Sequence, residues 1–326
     1  MNNQAEAPSS GVLSRRIRIL AWLTLVSQAG IVITGALVRL TASGLGCPTW
    51  PRCTDQSYVN TPEMGIHGYI EFGNRTLTFV VAAIAVLTLI ALWKIRRERR
   101  DLWTLAVVLL FAVPLQAVIG GITVLSNLNP WVVGLHFLAS AIMVALATLM
   151  VRRVSDSGAA PARVVPPVVS RLGWAILALM IIVVVNGVMV TGAGPHSGDH
   201  GAARNGLDPT WITRLHAAPV YLLVAATVAA LVLTARSRRA AGADQLAEPR
   251  RALMTLLIVE LAQGAIGYTQ HFLHLPVALV VLHMLGAVTL IAAAVAAVDS
   301  MYQRPPLMQL PDNGENTPSS ASAETL

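Results

Sequence analysis

The sequence predicts an all-α integral membrane protein with eight transmembrane helices, arranged as two pseudo-symmetric four-helix bundles in a parallel repeat. Three observations support this fold class: the composition, a series of long apolar runs, and a motif that occurs twice. The chain has 326 residues, of which 55% are hydrophobic and only 12% are charged, and its mean hydropathy is +0.64. A soluble protein of this length carries about twice that share of charged residues.

Eight runs of the sequence are uncharged or nearly so and are each roughly 20 residues long, the length that crosses about 30 Å of hydrocarbon. They lie near residues 19–41, 74–95, 102–125, 130–151, 170–192, 211–235, 252–271 and 276–299. The first 17 residues are polar and the first apolar run is long. We therefore expect the first span to be an uncleaved anchor rather than a signal peptide.

A net charge of +7 is typical of many nucleic-acid-binding proteins, but the placement of the basic residues argues against that function here. Of the 23 Lys and Arg residues, 18 lie before the first span, after the last span, or in the loops that follow the even-numbered spans. By the positive-inside rule, the side of the membrane with most of the basic residues is predicted to be the cytoplasmic side. We therefore expect a multi-pass protein of the cell (plasma) membrane with both termini cytoplasmic, in contact with the lipid bilayer and not with nucleic acid.

Residues 116–136 and residues 263–283 align without a gap, at an offset of 147 positions. Each copy has an apolar run with one Gln, a short turn containing Pro, and a second apolar run with one His near its start. The matched polar and glycine positions are Gln116 with Gln263, Gly120 with Gly267, and His136 with His283. Spans 1 and 5 start on the same side of the membrane, so the two halves are expected to be related by an axis along the membrane normal.

The repeat divides the chain into segments. These are a cytoplasmic tail over residues 1–18, an N-terminal four-helix half over 19–151, a cytoplasmic linker over 152–169, a C-terminal four-helix half over 170–300, and a disordered cytoplasmic tail over 301–326. Four-helix bundles hold cofactors between facing helices. Each half is therefore a candidate cofactor site.

Three histidines lie inside the predicted spans. His136 and His283 are six and seven residues past a Pro, which places them about 9–10 Å into a span, and His216 has a similar depth in span 6. An ionisable side chain at that depth usually faces the bundle interior and has a partner there. Two histidines at matched depth on spans 6 and 8 are the ligand set of a six-coordinate haem. A site for a bare metal ion would require further carboxylate or thiolate ligands, which we do not expect in this half. As an alternative to haem binding, each His alone could form a hydrogen bond to a neighbouring helix.

The N-terminal half has one clear intramembrane ligand, His136. Aligning span 2 with span 6 places Asn74 at the position of His216, and Glu71 and His67 precede Asn74 on the same helix face. Two interpretations of the Glu71 carboxylate remain open. It could pair with Arg75 or Arg39, or it could act beside a bound cofactor as a general base or a stabiliser of positive charge.

Both cysteines, Cys47 and Cys53, lie in the first outer loop, in the segment GLGCPTWPRC. The outer side of the membrane is oxidising, so a disulfide is expected, with two free thiols as the alternative. Zinc is not favoured because the chain has no further cysteine. The remaining outer-loop histidines are expected to be solvated; they are His196, His200, His271 and His274.

Four segments together resemble the haem A synthase family, over residues 20–300 or so. They are RLTASGLGCPTWPRC from Arg39 to Cys53, the stretch from Glu71 to Arg75, the two Gln…His hairpins, and VTGAGPHSGD over 190–199. The resemblance implies a membrane oxidoreductase that converts haem O to haem A by oxidising a porphyrin methyl group to a formyl group, for the assembly of terminal oxidases.

The resemblance also implies roles for individual residues. The C-terminal half would hold a resident haem b, with His216 and His283 as axial ligands of the iron. The N-terminal half would receive the substrate haem O, with His136 as iron ligand and Glu71 in a catalytic role. Cys47 and Cys53 match the outer-loop disulfide of the family.

The chain departs from the family at Asn74, where the family often has a His three residues after the Glu. Either His67 is the second ligand of the substrate haem, or that iron has one protein ligand and a sixth position that is open or holds water. A haem O synthase and an electron acceptor are implied as partners. Two other functions remain open: a diheme membrane cytochrome b for electron transfer, and a haem carrier or assembly scaffold.

Overall fold

A computed structural model of the chain describes residues 13–241 and 245–304. Within these residues it contains eight long α-helices: α1 (Arg15–Leu40), α2 (Gly65–Leu92), α3 (Arg100–Leu125), α4 (Pro130–Arg153), α5 (Pro167–Ala193), α6 (Pro209–Ala241), α7 (Ala247–Phe272) and α8 (Val277–Asp299). All eight are long and apolar enough to cross a membrane. The predicted all-α, eight-span fold is confirmed, and the chain is a multi-pass membrane protein.

The largest difference from the predicted spans is at the start of α2, which begins at Gly65 instead of near residue 74. A short 3₁₀ turn, Pro62–Met64, leads into it, and Gly65 has a φ of 58°. The first turns of α2 carry polar side chains that lower the local hydropathy, so a search for apolar runs omits them. They are nevertheless helical, because the preceding loop supplies hydrogen-bond partners for them.

Each half of the chain forms a closed set of neighbouring helices. In the first half α1 and α3 both pack against α2 and α4, and in the second half α5 and α7 both pack against α6 and α8. Neighbours in sequence are antiparallel because each helix crosses the membrane in turn. This packing supports the predicted arrangement as two bundles, which stays a prediction together with the proposed segment boundaries.

The two halves meet along α1 and α4 of the first half and α5 and α8 of the second. Val32 and Val144 belong to the same buried apolar cluster as Val183 and Ile291, so this contact is part of the core. At the end of the helices opposite the disulfide loop, Arg152 pairs with Glu248 at 2.7 Å and with Asp299 at 2.8 Å, which links α4 to α7 and α8.

Two short strands join the linker to the end of α8. Ala162–Arg163 (β1) pairs in antiparallel fashion with Tyr302–Gln303 (β2). The start of the predicted disordered tail, 301–326, is therefore paired with the predicted linker, 152–169. The rest of that tail, residues 305–326, and residues 1–12 of the predicted N-terminal tail lie outside the described residues.

Candidate functional site

His216 on α6 and His283 on α8 face each other across the C-terminal half. Their ring centres are 6.5 Å apart and their ring planes are at 80° to each other. Nδ1 of His216 lies 3.0 Å from the carbonyl oxygen of Val183 on α5, which is hydrogen-bond distance. An Nδ1–H that donates to this carbonyl leaves the lone pair of Nε2 free, the usual arrangement of a metal-binding imidazole.

This geometry fits a six-coordinate haem. Two imidazoles that bind one iron from opposite sides have ring centres about 6 Å apart, since each metal–nitrogen bond is about 2 Å and each ring centre lies about 1 Å beyond its nitrogen. Nδ1 of His283 is buried and has no hydrogen-bond partner among the described residues. Within the same residues, no group of three or more His, Cys, Asp and Glu side chains could hold a bare metal ion.

A glycine on the neighbouring helix lies beside each of these rings. A Cβ added to Gly187 on α5 would lie 3.1 Å from Cε1 of His216, and one added to Gly267 on α7 would lie 3.4 Å from Cε1 of His283. The first distance is tighter than ordinary van der Waals contact and the second is at its limit. These glycines therefore give the rings room against the helix backbone.

The N-terminal half repeats this arrangement. A Cβ added to Gly120 on α3 would lie 3.2 Å from Cε1 of His136, and one added to Gly35 on α1 would lie 3.9 Å from Nδ2 of Asn74. Nδ1 of His136, like that of His283, is buried without a partner among the described residues. Each odd-numbered helix thus places a glycine beside the His or Asn of the helix that follows it.

The two Gln residues of the repeated motif have the same role in both halves. Nε2 of Gln116 donates to the carbonyl oxygen of His136 at 3.2 Å, and Nε2 of Gln263 donates to that of His283 at 3.0 Å. The amide therefore binds the backbone of the His rather than its ring. The repeat seen in the sequence corresponds to a repeated hydrogen bond between paired helices.

Asn74 occupies the position that His216 has in the other half, and its Oδ1 accepts a 2.7 Å hydrogen bond from Oγ1 of Thr34 on α1. His67 lies two turns earlier on α2, where its Nδ1 is 2.9 Å from Oγ of Ser43. His67 also lines an outer cleft of about 370 Å³ together with Asp199 and His200 of the second half. The structure thus places Asn74 and His67 in different surroundings.

Glu71 is only 5% exposed, and both of its carboxylate oxygens accept hydrogen bonds. Oε2 accepts from the backbone N–H of Cys47 at 2.6 Å, and Oε1 accepts from Nε and Nη2 of Arg75 at 3.1 and 2.5 Å. Arg75 also donates to the carbonyl oxygens of Cys47 and Thr49. The Glu71–Arg75 pair therefore joins the outer loop to the start of α2, and the partner of Glu71 is Arg75.

The outer loop is closed by the disulfide between Cys47 and Cys53, as the sequence predicts. Trp50, inside this ring, packs against Gly121 of α3, where any side chain would overlap the indole. Arg39 does not reach Glu71. It donates to the carbonyl oxygens of Thr191 and His196, at 2.7 and 2.6 Å, and so connects α1 to the end of α5 and to the loop that follows it.

The other outer-loop histidines have separate environments. Nε2 of His196 lies 3.1 Å from the carbonyl oxygen of Leu275, which links two outer loops of the C-terminal half. His271 lies in the last turn of α7 rather than in a loop, and its ring packs edge-on against Phe272. His274 has a φ of 60° in the turn before α8. His196 is therefore not simply solvated as expected, because its ring contacts the Leu275 carbonyl oxygen and its own carbonyl oxygen accepts a hydrogen bond from Arg39.

Sequence reasoning missed a buried carboxylate in the C-terminal half. Glu260 on α7 is 2% exposed and accepts a 2.8 Å hydrogen bond from Thr227 on α6, so the expectation of no carboxylate among these spans is wrong. Its signal was a single acidic residue inside an otherwise apolar run. The Tyr221 and Tyr268 hydroxyls, which form a hydrogen bond between α6 and α7, were also missed.

The chain matches a known protein family over most of its length. Residues 18–295 match the family described as cytochrome oxidase assembly protein, COX15-CtaA. The chain belongs to this family.

Curated relatives match a smaller part of the chain. The similarity is 31% identity over 156 residues to a protein of Bacillus pumilus, covering 46% of this chain and 49% of the relative. It is 28% over 152 residues to one of Listeria welshimeri, covering 44% and 50%, and 26% over 147 residues to one of Alkalihalophilus pseudofirmus, covering 45% and 49%. All three are named heme A synthase, and the chain spans about half the length of the curated relatives it matches.

Proposed function

We propose that this protein is a haem A synthase, which oxidises a methyl group of haem O to a formyl group for the assembly of terminal oxidases. The observation that carries the proposal is the unequal pair of sites in two otherwise repeated halves. One half has two facing imidazoles, and the other has one imidazole, an amide and a fixed carboxylate. The names of the relatives support the same activity.

His216 and His283 are the proposed axial ligands of a resident haem b. A haem with both axial positions taken supplies one-electron transfer and has no free position for a substrate. The Val183 carbonyl orients His216, and Gln263 holds the backbone at His283. The bond at Nδ1 would orient the His216 ring and raise its basicity, whereas the bond from Gln263 would fix the backbone that carries His283.

His136 is the proposed iron ligand of the substrate haem O. Gly120 gives its ring room, and Gln116 bonds its carbonyl oxygen. Asn74 is a poor iron ligand and its amide oxygen is engaged by Thr34, so we propose that it leaves the opposite axial position open or filled by water. A weakly held haem suits a substrate, which must enter and leave. His67, bonded to Ser43 in the outer cleft, is the less favoured second ligand.

Glu71 is proposed to act through its negative charge. Conversion of a methyl to a formyl group takes up the oxygen of one water molecule and releases four electrons and four protons. Positive charge develops on the methyl carbon when its electrons leave, and a fixed carboxylate stabilises it. Arg75 and the Cys47 N–H hold this carboxylate in one orientation, which is the preorganisation such stabilisation requires.

The proposal includes location and partners. The basic loops are placed in the cytoplasm of a cell (plasma) membrane protein with both termini cytoplasmic. A haem O synthase would supply the substrate, and a membrane electron acceptor would take the electrons. A diheme cytochrome b would use the paired histidines but gives no role to the Glu71–Arg75 pair and the disulfide loop.

The test is expression together with a source of haem O, followed by chromatography of the extracted haems. We expect haem A or its hydroxylated intermediate from the intact protein, and only haem b and haem O from Glu71→Gln. A protein that binds haem but yields no oxidised product would contradict the proposal and favour the cytochrome.

A further inference from the structure

Glu260 is a buried acid that the proposed reaction does not use. It lies in the middle of α7 and is 2% exposed. Oε1 accepts the hydrogen bond from Thr227, while Oε2 is buried and has no partner among the described residues. A carboxyl group at membrane depth costs several kcal/mol when charged and is rarely kept without a function.

No cation compensates Glu260 within the part of the chain that the structure describes. None of the ion pairs formed there includes it. The other described titratable or charged side chains on α7 and on the helices packed against it are Glu248, Arg250, Arg251, Tyr268 and His271 on α7, Arg214, His216, Tyr221 and Arg236 on α6, and His283 and Asp299 on α8. Thr227 is the side chain that bonds the carboxyl group.

The N-terminal half shows that the fold does not need this acid. The offset of 147 that pairs His283 with His136 places Val113 at the position of Glu260. Aligning His216 with Asn74 places Ala85 at the position of Thr227. Val113 and Ala85 are both buried, so an apolar pair fills the equivalent space. The Glu–Thr pair is thus specific to the half with two facing imidazoles.

The same helix contacts the proposed haem ligand. One turn after Glu260, Gln263 donates to the His283 carbonyl, and Gly267 lies beside the His283 ring. Seven residues separate Glu260 from Gly267, a rise of about 10 Å along the helix. Electrostatic interactions act over this range in a medium of low dielectric constant, so an acid at position 260 would sense a charge held beside Gly267.

We propose that Glu260 is a proton-accepting site coupled to the oxidation state of the haem held by His216 and His283. This inference rests on the resident haem of the proposed function. Reduction of a haem held by these histidines would add one negative charge to the half. The Glu260 carboxylate would take up one proton from the aqueous phase and so balance that charge, and it would release the proton when the haem is oxidised again by the electron acceptor.

The test is a potentiometric titration of the low-spin haem in the purified protein, from pH 6 to pH 9, with a chemical reductant and oxidant. In the unmodified protein the ratio of oxidised to reduced haem at fixed potential should change by up to tenfold per pH unit, or about 59 mV for one electron. Glu260→Gln should keep the haem and flatten this dependence. An unchanged slope in Glu260→Gln would overturn the proposal and assign the proton to another group, such as the haem propionates.

A second variant keeps the inference testable if Glu260→Gln does not fold. Thr227→Val keeps the acid and removes its donor, so the pH range over which the potential changes should move to higher pH. Thr234→Val, a buried threonine on the same helix that bonds only its own helix carbonyl, is the matched control and should leave that range unchanged. Equal profiles in Thr227→Val and Thr234→Val would contradict the inference. A pH-dependent haem in a protein that makes no haem A would refute the proposed function alone.

Discussion

The two halves of this protein share a scaffold and differ where chemistry is expected. Both have a Gln that bonds the backbone of a His, and both place a glycine beside that ring. The second imidazole of the C-terminal half, His216, is replaced by Asn74 in the N-terminal half. Under the proposed function, the features shared by both halves would bind a haem, and the features found in only one half would decide whether that haem is retained or oxidised.

The two halves also differ in what packs over the ends of their helices on the side of the disulfide loop. In the first half Trp50 of the disulfide loop packs against Gly121. The equivalent position in the second half is Tyr268, whose hydroxyl bonds Tyr221 on the next helix. The first half is thus covered by a separate loop that also fixes Glu71, whereas the helices of the second half bond each other directly. A covering loop tied to a carboxylate suits a site that processes its ligand.

The largest effect on activity is expected at Glu71. Glu71→Gln keeps the size of the side chain and removes its charge, so the rate of haem A formation should fall by about 10²–10⁴. The low-spin haem of the other half should remain, as measured by its absorption spectrum. Glu63→Gln, an exposed acid just before α2, is the control and should not change the rate. Normal haem A yield in Glu71→Gln would remove the main functional difference between the halves.

The glycines beside the rings offer a smaller effect that separates the halves. Gly187→Ala should push His216 and cost about 1–3 kcal/mol, or roughly five- to 150-fold in affinity for the low-spin haem. Gly120→Ala should instead lower the haem A yield and leave that signal intact, because it acts on His136. Gly264→Ala and Gly30→Ala are controls, since an added Cβ has no neighbour within 4 Å at either position. Haem titration and chromatography measure the two outcomes.

The smallest effect is expected at Asn74. Asn74→Ala should lower the haem A yield by less than Glu71→Gln, because the deleted group is at most a weak ligand. Asn74→His should make the halves alike and shift the substrate haem toward low spin. A collapse of yield in Asn74→Ala with near-normal yield in Glu71→Gln would show that the roles of the two residues are reversed.

Much of this architecture could be predicted from local patterns. Apolar runs indicate the eight spans, the offset of 147 pairs His136 with His283, and the outer position of Cys47 and Cys53 predicts their disulfide. These predictions depend on the length and composition of the apolar runs and on the spacing of a few residues. They are confirmed because the bilayer restricts the segments that cross it to helices.

The remainder depends on how distant segments meet. The Cys47 N–H that bonds Glu71 could not be foreseen, because the path of the outer loop over α2 is set by tertiary contacts. The offset of 147 does not pair Gly187 with a glycine in the first half. Its equivalence to Gly35 is seen only when span 5 is aligned separately with span 1. Glu260 was overlooked because one acid does little to the mean hydropathy of a span, although its burial cost makes it informative.

The division of roles between the halves is tested most directly by the low-spin haem spectrum of two matched variants, His283→Ala and His136→Ala. His283→Ala should abolish the low-spin signal or convert it to high spin, since it removes one of two axial ligands. His136→Ala should leave that signal unchanged and lose haem A formation. Loss of the signal in His136→Ala with its retention in His283→Ala would contradict the assignment of the resident haem to the C-terminal half.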